Sequence, residues 1–99
     1  MLTYAVTAQV TGAAGLAAAW AQQMANLVRS KTGATVNVSA RHGGQRQIIW
    51  ICQYDDFASF ERAQAILGAD EAYETMVQSA ADASLFNLLS VDTAFWTPV

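Results

Sequence analysis

The sequence predicts one α+β domain in which four antiparallel strands form a sheet and the helices cover one face of it. Three observations predict this class. Apolar and polar residues alternate in three segments, and a period of two is typical of half-buried strands. A fourth segment, residues 47–54, is apolar on both sides, as expected of a central strand. Other segments carry apolar residues at helical spacing next to capping residues.

The first strand and the first helix are predicted to follow each other closely. Residues 2–10 form the strand, because every second residue is apolar. The Thr11 hydroxyl is expected to cap a helix over residues 13–32. Arg29 and Lys31 fall in the last turn of that helix, where cations interact favourably with the helix dipole. The predicted apolar stripe of the helix consists of Leu16, Trp20, Met24, Leu27 and Val28.

A β-hairpin is predicted next. Residues 35–41 alternate around Val36 and Val38 and form its first strand. Residues 42–45 contain two glycines, which accept the positive φ that tight hairpin turns require. Residues 47–54 return as the central strand, since they are rich in residues that favour strands.

The second half of the chain repeats the pattern of a capped helix followed by a strand. Asp55 and Asp56 are expected to cap a helix that ends at Gly68, and Asp70 a further helix of one or two turns. The last strand is predicted over residues 85–96. Its side chains expected beneath the helices are Leu89, Val91 and Phe95.

This order, β-α-β-β-α-(α)-β, is that of the ferredoxin-like fold, with a four-stranded antiparallel sheet and helices on one face. Neither a linker nor a shift in composition divides the chain, so residues 1–99 are expected to form a single domain. The helices leave the other face of the sheet open. On residues 47–54 both alternating sets are apolar, and alternation leaves open which set faces outward. These sets are Trp50, Cys52 and Tyr54 on one side, and Ile49 and Ile51 on the other.

Either choice leaves a large apolar side chain on the open face. Burying one such side chain is worth about 1.5–3 kcal/mol, so we expect a second copy of the chain to cover this face. The sequence therefore predicts a homodimer formed through the sheet, with a ligand cavity between the two sheets.

Composition excludes several classes of protein. With 54% hydrophobic and 13% charged residues, the chain is not a disordered segment. Five scattered cations and a net charge of −3 form no basic stripe, so a nucleic-acid partner is not expected. No apolar run reaches the roughly 18 residues of a membrane span, and a membrane partner is not expected either. Cys52 is the only cysteine, which favours a reducing, cytoplasmic location.

Two parts of the chain, residues 48–60 and 69–73, resemble the NIPSNAP-like branch of the dimeric α+β barrel superfamily, which is related to antibiotic-biosynthesis-monooxygenase-like proteins. In that branch a strand that ends in an aromatic residue and an acidic cap leads into a helix, and an Asp-x-x-aromatic segment then opens a short second helix. Residues 95–99 are similar to the end of its last strand. The sequence departs from the family at Glu71, where proline is usual, and in having a lone Arg62 in place of an arginine-rich helix turn.

The resemblance implies a homodimer whose two sheets form a barrel around ligand pockets. It implies a small, aromatic or polyketide-like ligand and, as possible chemistry, a cofactor-independent monooxygenase or cyclase. No cofactor is therefore expected. The alternative is a non-catalytic homodimeric binding or assembly module whose interior is filled by side chains. A third reading is an ACT-like regulatory domain, which would belong to a longer chain.

Candidate site residues follow from chemistry and from their place on the strands. The acid–base candidates are His42, Arg41 and Asp92. No metal site is expected, because His42 is the only histidine and no spacing supplies three or four ligands. Cys52 is expected to be an inert core thiol. The candidate ligand-binding residues are Trp50, Tyr54, Asn37, Ser39 and Trp96.

Overall fold

A computed structural model describes all 99 residues of the chain and contains four strands and three helices. The strands form one antiparallel sheet in the order β2-β3-β1-β4, which confirms the predicted ferredoxin-like α+β class. No helix has the length and apolar character needed to cross a membrane. The elements are β1 (Leu2–Val10), α1 (Ala14–Thr32), β2 (Thr35–Arg41), β3 (Gln47–Tyr54), α2 (Phe57–Gly68), α3 (Glu71–Asp82) and β4 (Phe86–Trp96).

The register between β1 and β3 decides which side of the central strand faces the helices. Tyr4 lies opposite Cys52 and Val6 lies opposite Trp50. Residues directly opposite each other in an antiparallel pair share a face of the sheet. The set of Trp50, Cys52 and Tyr54 is therefore buried beneath the helices together with the apolar face of β1. Ile49 and Ile51 point to the open face, where they are half-buried.

The turn between β2 and β3 has the predicted glycine chemistry. Gly43 and Gly44 adopt φ values of 82° and 66°, in the region that side chains with a Cβ rarely occupy. Gly33 ends α1 in the same way with φ 73°, and its amide donates to the Arg29 carbonyl at 2.9 Å. The Arg29 guanidinium also donates to the Val36 carbonyl, with Nε at 2.9 Å, and thereby ties the end of α1 to β2.

The face of α1 that packs on the sheet differs from the predicted stripe. Its buried residues are mostly alanines, and Leu16 is exposed. Small side chains allow the helix to approach the sheet closely, and the Trp50 indole fills the space that remains. The indole Nε1 donates to the Ala21 carbonyl at 3.1 Å, so the largest side chain of β3 is also hydrogen-bonded to the helix backbone. The buried residues are Ala17, Ala21, Met24, Ala25 and Val28.

The caps of α2 and α3 are as predicted, whereas the cap of α1 is not. Asp56 accepts from the Ser59 amide at 2.8 Å, and Asp70 accepts from the Tyr73 amide at 2.9 Å. Helix α3 runs for 12 residues, longer than the one or two turns expected. The residue at the cap of α1 is Ala13, which makes no side-chain hydrogen bond. The Thr11 hydroxyl donates to the Ser84 carbonyl instead, at 3.1 Å.

An irregularity in β4 overturns the placement of Leu89. The register between β1 and β4 shifts between Thr7 and Gln9, because β4 has extra residues at this point. The Ser90 hydroxyl accepts from the Gln9 amide at 2.9 Å within the irregular stretch. Leu89 is 97% exposed, so it does not lie beneath the helices as predicted. A bulge of this kind reverses the alternation of side chains, and the apolar pattern of the sequence does not predict it.

We predict that Ala21→Leu destabilises the chain by about 1–3 kcal/mol, because added methylenes at this buried position would push α1 away from Trp50. Urea unfolding measures the change. Ala18→Leu is the matched control, since Ala18 is exposed on the same helix and the substitution there should change stability by less than about 0.5 kcal/mol. Equal effects of the two substitutions would contradict close packing at Ala21.

Candidate functional site

A cavity of about 290 Å³ lies between the sheet and the helices. This volume is near the lower end of the range of small-molecule pockets, about 300–1,000 Å³. All four strands and all three helices contribute to its lining, and 13 of the 15 lining residues are hydrophobic. The lining consists of Tyr4, Val6, Trp20, Met24, Val28, Val36, Trp50, Cys52, Tyr54, Gln64, Leu67, Tyr73, Val77, Val91 and Thr93.

The location of this cavity differs from the predicted one. We expected a chamber over the open face of the sheet, enclosed by a second copy of the chain. The cavity instead lies on the helix-covered face of a single chain, because the register of β1 and β3 turns Trp50 and Tyr54 to that side.

Three tyrosines contribute hydroxyl groups to the lining of the cavity. Tyr4, Tyr54 and Tyr73 come from β1, β3 and α3. Their hydroxyls form no hydrogen bond within the chain. None of them is fully buried, so each is in contact with open space. Each hydroxyl is therefore available to donate to, or accept from, a molecule in the cavity. Gln64 and Thr93 are the other polar residues of the lining, and no charged residue contributes to it.

Burial holds the tyrosines in their protonated form. It raises the pKa of Tyr54 from 10.0 to about 12, with smaller contributions from Cys52 and the other two tyrosines. The pKa values of Tyr4 and Tyr73 are also raised, chiefly by burial. The three phenols are consequently hydrogen-bond donors at neutral pH, and none of them is a ready base.

Cys52 lies among these tyrosines as a neutral thiol. Burial raises the pKa of Cys52 from 9.0 to about 11. A thiol is nucleophilic as the thiolate, so this side chain is unreactive at neutral pH, in line with the core role expected for it.

Aromatic rings form one wall of the cavity. The rings of Trp20 and Trp50 meet edge to face, with centroids 6.1 Å apart, and Phe86 packs against both at 5.4 and 5.8 Å. The Trp20 indole Nε1 also donates to the Met76 carbonyl at 2.9 Å and to the Ser79 hydroxyl at 3.1 Å. Trp20 thereby joins α1 to α3 and shapes the cavity at the same time.

The five predicted ligand-binding residues do not come together in one site. Trp50 and Tyr54 line the cavity. Asn37, Ser39 and Trp96 lie on the open face, opposite Ile51, Ile49 and Thr3 in the strand pairs. These three residues belong to the sheet that borders the cavity, but their side chains lie on its opposite face.

Sequence reasoning missed Tyr4, Tyr73 and Trp20 as cavity residues. Tyr4 could have been found from its strand pairing with Cys52, had the register been known. For Tyr73 and Trp20 the helical pattern showed only that they face inward, not that a space remains beside them.

The acid–base candidates lie away from the cavity. His42 is exposed in the turn between β2 and β3. The Arg41 guanidinium lies 3.4 Å from the Gln47 side-chain oxygen on the same hairpin. Asp92 is exposed on the open face of the sheet, opposite Thr7. None of the three lines the cavity, and no group of three or more His, Cys, Asp or Glu side chains could hold a metal ion.

We predict that the free energy of unfolding falls between about pH 9 and pH 12. The folded chain holds the protons of Cys52 and Tyr54 more tightly than their ordinary pKa values of 9.0 and 10.0 imply. The resulting stability is fully present below the ordinary pKa values and is lost as the pH rises through about 11 and about 12. Urea unfolding across this range measures it. Tyr54→Phe should reduce the fall above pH 10, and an unchanged fall would contradict this assignment.

Comparison with known proteins identifies this architecture. No protein-family model and no curated protein matches the chain. Among solved structures, protein Atu4242 from Agrobacterium tumefaciens matches with a TM-score of 0.81 at 17% identity, over 100% of this chain and 94% of that one. A NIPSNAP family protein from the same organism matches with a TM-score of 0.80 at 11% identity, over 99% and 92%. SnoaB from Streptomyces nogalater, a cofactor-independent oxygenase, matches with a TM-score of 0.75 at 14% identity, over 99% of this chain and 92% of that one.

Identities this low show a common fold alone. Two further solved structures with this fold are antibiotic biosynthesis monooxygenases or are proposed to be. The resemblance noted in the sequence is therefore confirmed at the level of structure: the chain has the fold of the NIPSNAP-like and antibiotic-biosynthesis-monooxygenase-like proteins.

Proposed function

We propose that the chain binds a small, uncharged aromatic molecule in the cavity between the sheet and the helices. The observation that carries this proposal is an apolar cavity lined by three tyrosines whose hydroxyls form no hydrogen bond within the chain. Small-molecule sites typically combine an apolar lining with a few polar groups that orient the ligand.

The lining also limits the charge of the ligand. No Lys, Arg, His, Asp or Glu borders the cavity, so a ligand carboxylate or ammonium would be buried without a partner ion. Burying an unpaired charge is strongly unfavourable. A phenol, quinone or aromatic ketone meets no such penalty, since Tyr54 and Tyr73 can hydrogen-bond to its oxygen atoms while Trp20 and Trp50 contact its rings.

We further propose that the chemistry of this site is oxygenation without a cofactor. The support is the fold shared with SnoaB, a cofactor-independent oxygenase. In this oxygenation both C–H bonds of an activated methylene group of the ligand are broken. One atom of O2 becomes the new carbonyl oxygen and the other leaves as water. The ligand itself supplies the electrons and both hydrogen atoms of the water.

The cavity suits a substrate that ionises through its own enol. No carboxylate or imidazole lines the cavity to act as a base. The protonated tyrosines, whose pKa values burial raises, can donate hydrogen bonds to an enolate oxygen and so stabilise the electron-rich form that reacts with O2.

Anthrone is a suitable probe, because its methylene is acidified by a carbonyl in the same ring system. We predict that Tyr54→Phe and Tyr73→Phe each weaken anthrone binding about three- to tenfold, the effect of losing one hydrogen bond. Quenching of tryptophan fluorescence measures binding, and an oxygen electrode measures turnover. Ser39→Ala is the control, because Ser39 lies on the open face. Equal affinity in all three variants would contradict the proposed site, and binding without oxygen uptake would favour the non-catalytic binding module.

We also propose that the chain is a homodimer formed through the open face of the sheet. The supporting observation is the apolar surface there. Ile49 and Ile51 lie at the centre of the face, and Trp96 is 65% exposed at the end of β4. A patch of this kind on a small chain is typical of a protein interface. The same face would serve the alternative, non-catalytic assembly module equally well.

Light scattering tests the dimer. We predict a particle of twice 10.6 kDa for the natural chain and a monomer for Ile51→Lys, because a buried lysine opposite its own copy would lack a partner charge. Ile66→Lys is the control, since Ile66 is exposed on α2 and away from the sheet. A natural chain that runs as a monomer would contradict the proposed interface.

A further inference from the structure

The exposed residues of the cavity lining lie on two elements only, α3 and β4. Of its 15 lining residues, only Val77, Val91 and Thr93 are exposed, and each of the others is buried or half-buried. Val77 lies on α3, and the other two lie on β4. Val77 and Val91 are each 45% exposed although they also border the cavity. A side chain that borders a cavity and meets solvent marks the mouth of that cavity.

Helix α3 and strand β4, which flank this mouth, have few fully buried side chains. Helix α3 has a single fully buried residue, Ala80. Polar contacts to α1 hold α3 in place: Lys31 Nζ lies 3.0 Å from an Asp70 carboxylate oxygen, and the Trp20 indole donates to the Met76 carbonyl. Strand β4 is an edge strand that pairs with β1 alone.

We propose that ligands enter and leave the cavity between α3 and β4, and that Val77 and Val91 determine which ligands pass. Two of the three exposed residues at this mouth are valines, so the mouth is largely apolar. It excludes charged molecules and admits flat, uncharged ones before they reach the tyrosines. The passage of a ligand rests on the proposed function, whereas the position of the mouth does not.

An alternative route into the cavity would pass Tyr54. A polar groove of about 400 Å³ lies between the start of β2 and α2, and its lining includes Asp55, Arg62 and Ile66. Tyr54 is the one residue shared by this groove and the cavity. Tyr54 is only 8% exposed, so a ligand that entered through the groove would have to displace its side chain.

Cys52 allows the mouth to be located without any ligand. It is the only cysteine, it borders the cavity and it is buried. The test measures the rate at which Cys52 is alkylated by monobromobimane, an uncharged bicyclic reagent, by intact mass at a pH of about 9, where more thiolate is present. Methyl methanethiosulfonate, a much smaller reagent, is used in parallel. The variants are Val77→Trp, Val91→Trp and, as the matched control, Ile66→Trp, which enlarges an equally exposed helical residue in the polar groove.

We expect Val77→Trp and Val91→Trp each to slow bimane alkylation about tenfold or more, and to slow the small reagent less, while Ile66→Trp has little effect. Val77→Ala should accelerate bimane alkylation. Slowing by Ile66→Trp alone would place the entrance at the polar groove and overturn the proposal. The proposal would also be overturned if both reagents modified Cys52 at one common rate in every variant. Unfolding of the chain would then limit the reaction and would be the way in which Cys52 is reached. If anthrone binds more weakly to Tyr54→Phe but associates with Val77→Trp at the natural rate, the proposed function stands and this mouth does not.

Discussion

The antiparallel register between β1 and β3 is the constraint on which the rest of the structure depends. Side chains alternate strictly along a strand, so a shift of one residue would exchange the two faces of β3. In the observed register Trp50 lies opposite Val6 and reaches α1, where its indole hydrogen-bonds to the Ala21 carbonyl. The alanine face of α1 permits this close approach. The same register sends Ile49 and Ile51 to the open side and so gives the domain two different apolar surfaces.

The cavity is a consequence of how the helix layer meets this face. Alanines bring α1 close to the sheet at Trp50, whereas α3 places its longer residues, among them Tyr73 and Val77, over the side nearer β4. Large rings line the resulting space without filling it. Because no charged group is present, the tyrosine hydroxyls and their raised pKa values define the chemistry, which is hydrogen-bond donation in an apolar environment.

The two surfaces of the sheet therefore suggest separate roles, although the sequence alone suggested a single one. The apolar pattern favoured a ligand over the open face because it does not orient Trp50 and Tyr54, and these residues were therefore grouped with Asn37 and Ser39. With the register known, the aromatic residues lie inside the chain and the polar ones outside. A ligand in the helix-side cavity and a second chain on the open side do not compete for the same surface.

The sequence by itself determined the order and type of the elements, because periodicity, glycine turns and acidic caps are local signals. It predicted the caps at Asp56 and Asp70 and the hairpin at Gly43 and Gly44. Only the tertiary structure decided the orientation of β3, the exposure of Leu89 and the position of the cavity. Each of these depends on pairing between residues far apart in the chain, and an apolar pattern is equally consistent with either face of a strand until its neighbour fixes the register.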